Sequence, residues 1–227
     1  MPYRSSRPVE NFRTGAITSW EDVVSVIYKI LYQVGFTPWE GSAEQARTRA
    51  QISAMFDREE NGRKPPYGPA LDLGCGGGLW SVELARRGWE VTGVDIVPKA
   101  LRTARERASE AGVEVRFVQG DITALRAADV GSGFRLLLDF GAVHGLKEAQ
   151  REAVGREVSA VAAADATLLT LAFPPGRRGP LPRGMSQADI EATYPGWTVT
   201  KGDPLDAELP RLATKDGDPH WYRLTRE

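Results

Sequence analysis

The sequence predicts an α/β fold: a three-layer α/β/α sandwich on a Rossmann-like, mostly parallel sheet, with an amino-terminal helical cap. Three observations carry that expectation. Short apolar runs of strand length alternate with helical segments through most of the 227 residues. The first run enters a glycine-rich turn that opens a helix, in the stretch PALDLGCGGGLWSVELARRGWEVTGVD from Pro69 to Asp95. Acidic residues recur at the carboxyl ends of successive runs, at Asp95, Asp121 and Asp139.

Taken in order, residues 1–18 are polar, with Pro2, Pro8 and scattered arginines, and read as an arm with little regular structure. Ser19-Trp20-Glu21-Asp22 has the spacing of a capping box and opens an apolar helix, Val23 to about Val34, that Gly35 ends. A turn follows, Phe36-Thr37-Pro38-Trp39-Glu40-Gly41. Ser42-Ala43-Glu44-Gln45 opens a second helix, running to about Glu59 and closed by Asn61-Gly62. Lys64-Pro65-Pro66-Tyr67-Gly68-Pro69 is then a stiff linker. Two parts result: an arm and helical cap or lid over residues 1–64, and a ligand-binding domain over 65–227.

The first strand, Ala70 to Leu73, leads into Gly74-Cys75-Gly76-Gly77-Gly78, and a helix from Leu79 to Arg87 stops at Gly88. Val91 to Val94 is the second strand and delivers Asp95. Val115 to Val118 is the third, ending in Gln119-Gly120-Asp121-Ile122. Phe134 to Phe140, FRLLLDF, is the fourth, followed by Gly141-Ala142-Val143-His144-Gly145 and an alanine-rich helix from Lys147 to about Ala164. Ala166 to Phe173 is the fifth, apolar throughout as a strand buried on both faces should be. After a Gly/Pro/Arg loop, Pro174 to Gly184, come a short helix capped by Ser186 and two last strands, Trp197 to Lys201 and His220 to Leu224.

This strand, glycine loop, helix, strand, acid unit is half of a nucleotide-binding sheet. Glycines let a ligand approach the backbone, and the helix start offers unpaired N–H groups. A dinucleotide fingerprint needs a third glycine at position 79, where Leu79 stands. Asp72, just before the loop, would repel a pyrophosphate and attract an ammonium. Asp72, Asp95 and Asp121 around one crevice suit a ligand with an amine, a diol and an exocyclic amino group.

Through LDLGCGGG, VTGVD, QGDI and FRLLLDF, in that order, residues 65–225 resemble the class I S-adenosylmethionine-dependent methyltransferases. The resemblance implies a seven-stranded sheet whose last strand is antiparallel. It also implies a site in which Gly74, Cys75, Gly76 and Gly78 line the methionine and ribose. Asp95 would hold the ribose diol and Asp121 the adenine amino group, with Ile96 and Ile122 packing beside the adenine. Asp72, Gly120, Asp139 and Phe140 complete the expected cofactor set, and S-adenosylhomocysteine would be the product. Asp121 could equally cap the segment that begins at Ile122. The Pro38-Trp39-Glu40 turn resembles thiopurine-methyltransferase-like and related bacterial small-molecule enzymes, in which the tryptophan lies near the cofactor under a helical lid. Trp39 as a plain core anchor is the alternative.

Methyl transfer asks a protein for orientation, desolvation and, if the acceptor bears a proton, a base. His144 is the candidate base, since the only other histidine is His220 in the last strand. A helix-capping imidazole or a pocket wall is the other reading. The fourth strand lacks the Asn/Asp-Pro-Pro-aromatic turn of nucleobase and protein amino-methylating enzymes, and Cys75 lies in the cofactor loop rather than at an acceptor. Asp139 and Asp165 alone make no convincing metal site, so no metal is expected. A small organic acceptor remains, methylated on oxygen more readily than on sulfur or nitrogen. Arg177, Arg178 and Arg183 could clamp an anionic one, or simply solvate their loop. The rival readings are a nicotinamide-dependent oxidoreductase, opposed by Leu79 and Asp72, and a non-catalytic cofactor-binding regulator.

A net charge of −1 opposes nucleic-acid or membrane-surface binding, and one cysteine excludes an internal disulfide framework. The apolar runs Val23 to Val34 and Val158 to Phe173 are broken by Lys29, Gln33 and Asp165. No stretch resembles a signal peptide. A cytoplasmic monomer or homodimer is the expectation.

Overall fold

The computed structural model describes residues 41, 44–176 and 184–226. Along them run α1 (Ala46–Glu60), β1 (Gly68–Leu73), α2 (Leu79–Arg87), β2 (Trp89–Asp95), α3 (Pro98–Ala111), β3 (Arg116–Gln119) and β4 (Phe134–Asp139). There follow α4 (Glu148–Val161), β5 (Ala162–Ala172), α5 (Gln187–Thr193), β6 (Trp197–Pro204), α6 (Arg211–Thr214) and β7 (His220–Arg226). Single 3₁₀ turns occupy Ile122–Ala124 and Val143–Gly145. The predicted helix over 23–34, Trp39, Ser42 and Arg177, Arg178 and Arg183 lie outside the described residues.

The strands form one sheet in the order β3-β2-β1-β4-β5-β7-β6. β1 to β5 are parallel, and β7 is antiparallel to both β5 and β6, as the resemblance implied. Alternate residues serve opposite faces. Leu71, Leu73 and Leu137 enter one core with Val154 and Val158 of α4 and Ile190 of α5, whereas Ala70, Leu136 and Leu138 enter another with Ile52 and Phe56 of α1 and Leu84 of α2. The result is the predicted three-layer sandwich.

Local chemistry explains most boundaries. Gly78 precedes α2 and Gly88 ends it, both left-handed, with the Gly88 N–H turned back to the carbonyls of Leu84 and Ala85. Pro98 opens α3 and Gly112 closes it. Two expectations needed correction. The helix predicted to run to Ala164 ends at Val161, because Ala162 pairs with Phe134 of β4 and opens β5, and tertiary pairing overrides alanine's helix propensity. α1 begins at Ala46, and Gln45 spends its side chain on the backbone of Glu208 instead of capping.

α1 is fastened to the far strands. Glu59 accepts bonds from Arg223 Nε (2.7 Å) and Nη2 (2.9 Å) on β7 and from Thr167 Oγ1 (3.1 Å) on β5. Thr48 Oγ1 donates to the Asp206 carbonyl at 2.7 Å. Among the described residues, no helix is long and apolar enough to cross a membrane.

Candidate active site

The chain leaves β1 toward β2 and leaves β4 toward β5, in opposite directions, so a crevice opens where their carboxyl ends diverge. The loop from Gly74 to Gly78 rims it. Gly74 is left-handed (φ 66°), and a Cβ there would lie 2.6 Å from Ala142 Cβ. At Gly78 (φ 75°) a Cβ would meet Ala104 Cβ at 2.8 Å, so this glycine also lets α2 pack on α3.

Asp95 holds the loop in shape. Its Oδ2 accepts the Gly76 N–H at 2.9 Å and its Oδ1 the Val97 N–H at 2.8 Å, while its carbonyl accepts the Gly120 N–H at 3.1 Å. Cys75 donates its N–H to the Val94 carbonyl at 3.0 Å. Burial, with Asp72 and Asp95 adding, holds the Cys75 thiol well above its usual range, so it stays neutral.

Two further acids are buried beneath the crevice. Asp72 accepts a 2.6 Å bond from Ser81 Oγ, and burial, with Asp95 and Asp139 nearby, raises its pKa to about 7. Asp139 accepts N–H groups from Ala142 (2.6 Å) and Val143 (3.3 Å) and the Thr170 hydroxyl (2.6 Å). Burial raises its pKa to about 6 against those bonds. Neither Asp72 nor Asp139 has an ion pair among the described residues. Asp139 is fully buried, and with both oxygens engaged it shapes the turn after β4.

The glycine loop, Asp72, Asp95, Ile96, Gly120 and Phe140 lie at or just beyond the carboxyl ends of the adjacent strands β1 to β4. Ile96 is the exposed large hydrophobic side chain of the described residues, at 43 %. Asp121 does cap the 3₁₀ turn, its Oδ1 accepting the Thr123 N–H (2.8 Å) and hydroxyl (2.7 Å), and Ile122 packs against the core behind it. Gly120 closes on Ala128, whose Cβ would lie 2.6 Å from an added Cβ. His144 is 5 % exposed, with Nδ1 3.3 Å from the Leu171 carbonyl and its ring edge on Phe173, centroids 5.2 Å apart. As a hydrogen bond to a carbonyl, that contact has Nδ1 donating. Asp165 pairs with Arg135 at 2.7 Å at the amino end of β5, far along the sheet from Asp139. No cluster of potential metal ligands occurs among the described residues.

Sequence reasoning missed Ser81, Thr170 and Trp221. A hydroxyl facing a strand-end acid across a helix or strand leaves no trace in spacing. Trp221 reaches Phe140 only because β7 inserts beside β5, opposite Leu171.

Residues 70–165 match the family described as "Methyltransferase domain". A ubiquinone biosynthesis O-methyltransferase of Caulobacter sp. (strain K31) is 43 % identical over 84 residues, 37 % of this chain and 33 % of that protein. One from Methylobacterium sp. (strain 4-46) is 34 % identical over 138 residues, 60 % of this chain and 51 % of that protein. The chain thus spans a third to a half of these relatives. The magnesium protoporphyrin IX methyltransferase of Synechocystis PCC 6803, solved with bound S-adenosylmethionine, superposes with a TM-score of 0.69 over 94 % of this chain and 100 % of that one, at 18 % identity. That likeness establishes the fold.

Proposed function

We propose that this chain, whose residues 70–165 form a methyltransferase domain of the class I S-adenosylmethionine-dependent kind, transfers a methyl group from S-adenosylmethionine to an oxygen of a small organic acceptor. One observation carries the reading: a glycine loop tied to Asp95 stands over the buried Asp72, which no cation neutralises among the described residues. A ligand with a ribose diol and a cationic amino-acid end matches that arrangement, and a pyrophosphate does not. The names of the curated relatives support oxygen as the acceptor atom.

S-Adenosylmethionine supplies an electrophilic methyl group on sulfur, and the thioether S-adenosylhomocysteine leaves. The protein's part is binding, orientation and proton removal. Asp95, its backbone tethers fixed, presents carboxylate lone pairs to hydroxyl donors, and the ionised Asp72 favours a cation at the loop. Exposed Ile96 gives an apolar wall for a base, with Asp121 and Ile122 beyond it. His144 Nε2 takes the acceptor proton, its tautomer set by the Leu171 carbonyl. The segment before α1, with Trp39, acts as a lid over the cofactor, while α1 itself is fixed to β5 and β7. The protein works as a cytoplasmic monomer or homodimer without nucleic acid, in keeping with its net charge of −1.

Calorimetric titration tests the ligand: S-adenosylmethionine and S-adenosylhomocysteine bind and NAD does not. Tight NAD binding would sink the assignment. Cofactor-induced fluorescence change should be lost in Trp39→Phe if the lid reading holds.

A further inference from the structure

Four tryptophans fall among the described residues, and they divide by position. At the amino end of the sheet, Trp89 donates its indole N–H to Glu60 Oε1 and Trp197 donates to Ser159 Oγ, each at 3.0 Å. At the carboxyl end, Trp80 and Trp221 are 5 % and 2 % exposed, and neither indole N–H has a partner among the described residues. A buried donor left unmatched costs about 1–3 kcal/mol. Both such donors stand at the end of the sheet that faces the crevice, while both satisfied ones stand away from it.

The ring between them is Phe140, the residue directly after β4. Its centroid lies 5.8 Å from that of Trp80 and 5.6 Å from that of Trp221, the planes tilted by 39° and 57°. Trp80 is in the first turn of α2, immediately after the glycine loop, and Trp221 lies opposite Leu171 near the end of β5. Phe140 is half-buried, so it is the ring an entering molecule meets first.

We infer that Trp80, Phe140 and Trp221 form the seat of the methyl acceptor, and that the seat takes a planar ring bearing a neutral hydrogen-bond-accepting oxygen. This rests on the methyltransferase reading and deepens it. The ring stacks on the aromatic set, and rotation of Phe140 opens the two indole N–H groups to the oxygen. Both donors are neutral, and the nearby carboxyls of Asp72 and Asp139 disfavour an anion. A phenol, ketone or ether oxygen therefore fits better than a carboxylate.

The test measures S-adenosylhomocysteine formation with phenol, catechol and 2-naphthol against cyclohexanol, hexanol and hexanoate. The planar oxygen acceptors should be preferred. Trp80→Phe and Trp221→Phe keep a ring and delete a donor, so each should raise KM for the best acceptor about fivefold to tenfold. Their kcat and cofactor Kd should stay within twofold. Trp89→Phe, which breaks a satisfied bond at the other end, should leave KM unchanged. A preference for the aliphatic set, KM within twofold in both site variants, or an equal rise in Trp89→Phe would overturn the seat. If a tryptophan variant misfolds, Phe140→Leu reads the same KM. Cofactor binding without ring preference removes the seat alone, whereas absent cofactor binding removes the methyltransferase reading and the seat with it.

Discussion

The two halves of the crevice are built in different ways. In the proposed cofactor half the parts come from one continuous stretch, β1 to the turn after β3, and their bonds are local in space and mostly in sequence. Asp95 reaches back to Gly76 and forward to Val97, and Asp121 reaches Thr123. In the proposed acceptor half the parts come from β4, β5, β7 and a 3₁₀ turn. Thr170 bonds Asp139 between neighbouring strands, His144 meets the Leu171 carbonyl, and Trp221 packs against Phe140 with tilted rings. A continuous stretch can hold a binding motif with little help from the rest of the fold. A half assembled from distant strands exists only after the sheet has formed, and it is where relatives with one cofactor can differ in acceptor.

Separable variants should expose that difference. The largest effect is expected in the acceptor half. His144→Ala should lower turnover roughly 10²–10⁴-fold, the range for general acid–base catalysis, while cofactor affinity barely moves. Normal turnover in steady-state assays would leave His144 as a structural brace for the Leu171 carbonyl. In the cofactor half, Asp95→Ala removes the tethers on Gly76 and Val97 along with the proposed ribose contact. Calorimetry should show a loss of about 2–3 kcal/mol, roughly 30–150-fold in Kd. An unchanged Kd would displace Asp95 from the ligand.

Asp72 gives a pH signature. With its pKa raised to about 7 by burial, it becomes an anion only as pH rises through that value. Cofactor affinity should therefore strengthen with rising pH, by at most about tenfold per unit below pH 7, and the dependence should flatten in Asp72→Asn. Stability moves the other way. Asp72 and Asp139, at about 7 and about 6, hold protons that the unfolded chain, with carboxyls near 3.9, has released. Their contribution is full below about pH 4, falls as pH rises through the folded values and levels off above about 7. Urea unfolding at pH 5 and pH 8 should show this fall shrinking in Asp72→Asn relative to the wild type. The smallest effect is reserved for Asp121→Ala, which loses a cap worth about 1 kcal/mol of stability. A Kd change above tenfold there would mean that Asp121 does more than hold its turn.

How legible each half was follows the same division. Strand, loop and helix positions around Gly74–Gly78 could be read because glycine conformation, apolar strand length and helix stops act locally. Gly88 ended α2 where predicted. Asp121 was ambiguous, since a strand-end acid can bind a ligand or cap a turn, and only the bond to Thr123 N–H shows that it caps. Asp139 also stands at a strand end, and only the packed sheet supplies its three donors, two from its own turn and one from β5.

By itself, the sequence determined the class of fold, the glycine loop with its flanking acids and the order of the elements, because these follow from backbone propensity and from periodicities of two and 3.6. Tertiary structure alone decided that α4 stops at Val161, since strand pairing outweighs alanine's preference for helix. It also decided that β7 enters between β5 and β6, bringing Trp221 onto Phe140. The pKa values of Asp72 and Asp139 are tertiary too, since a carboxyl is raised by the burial and neighbouring charges that only the packed sheet provides.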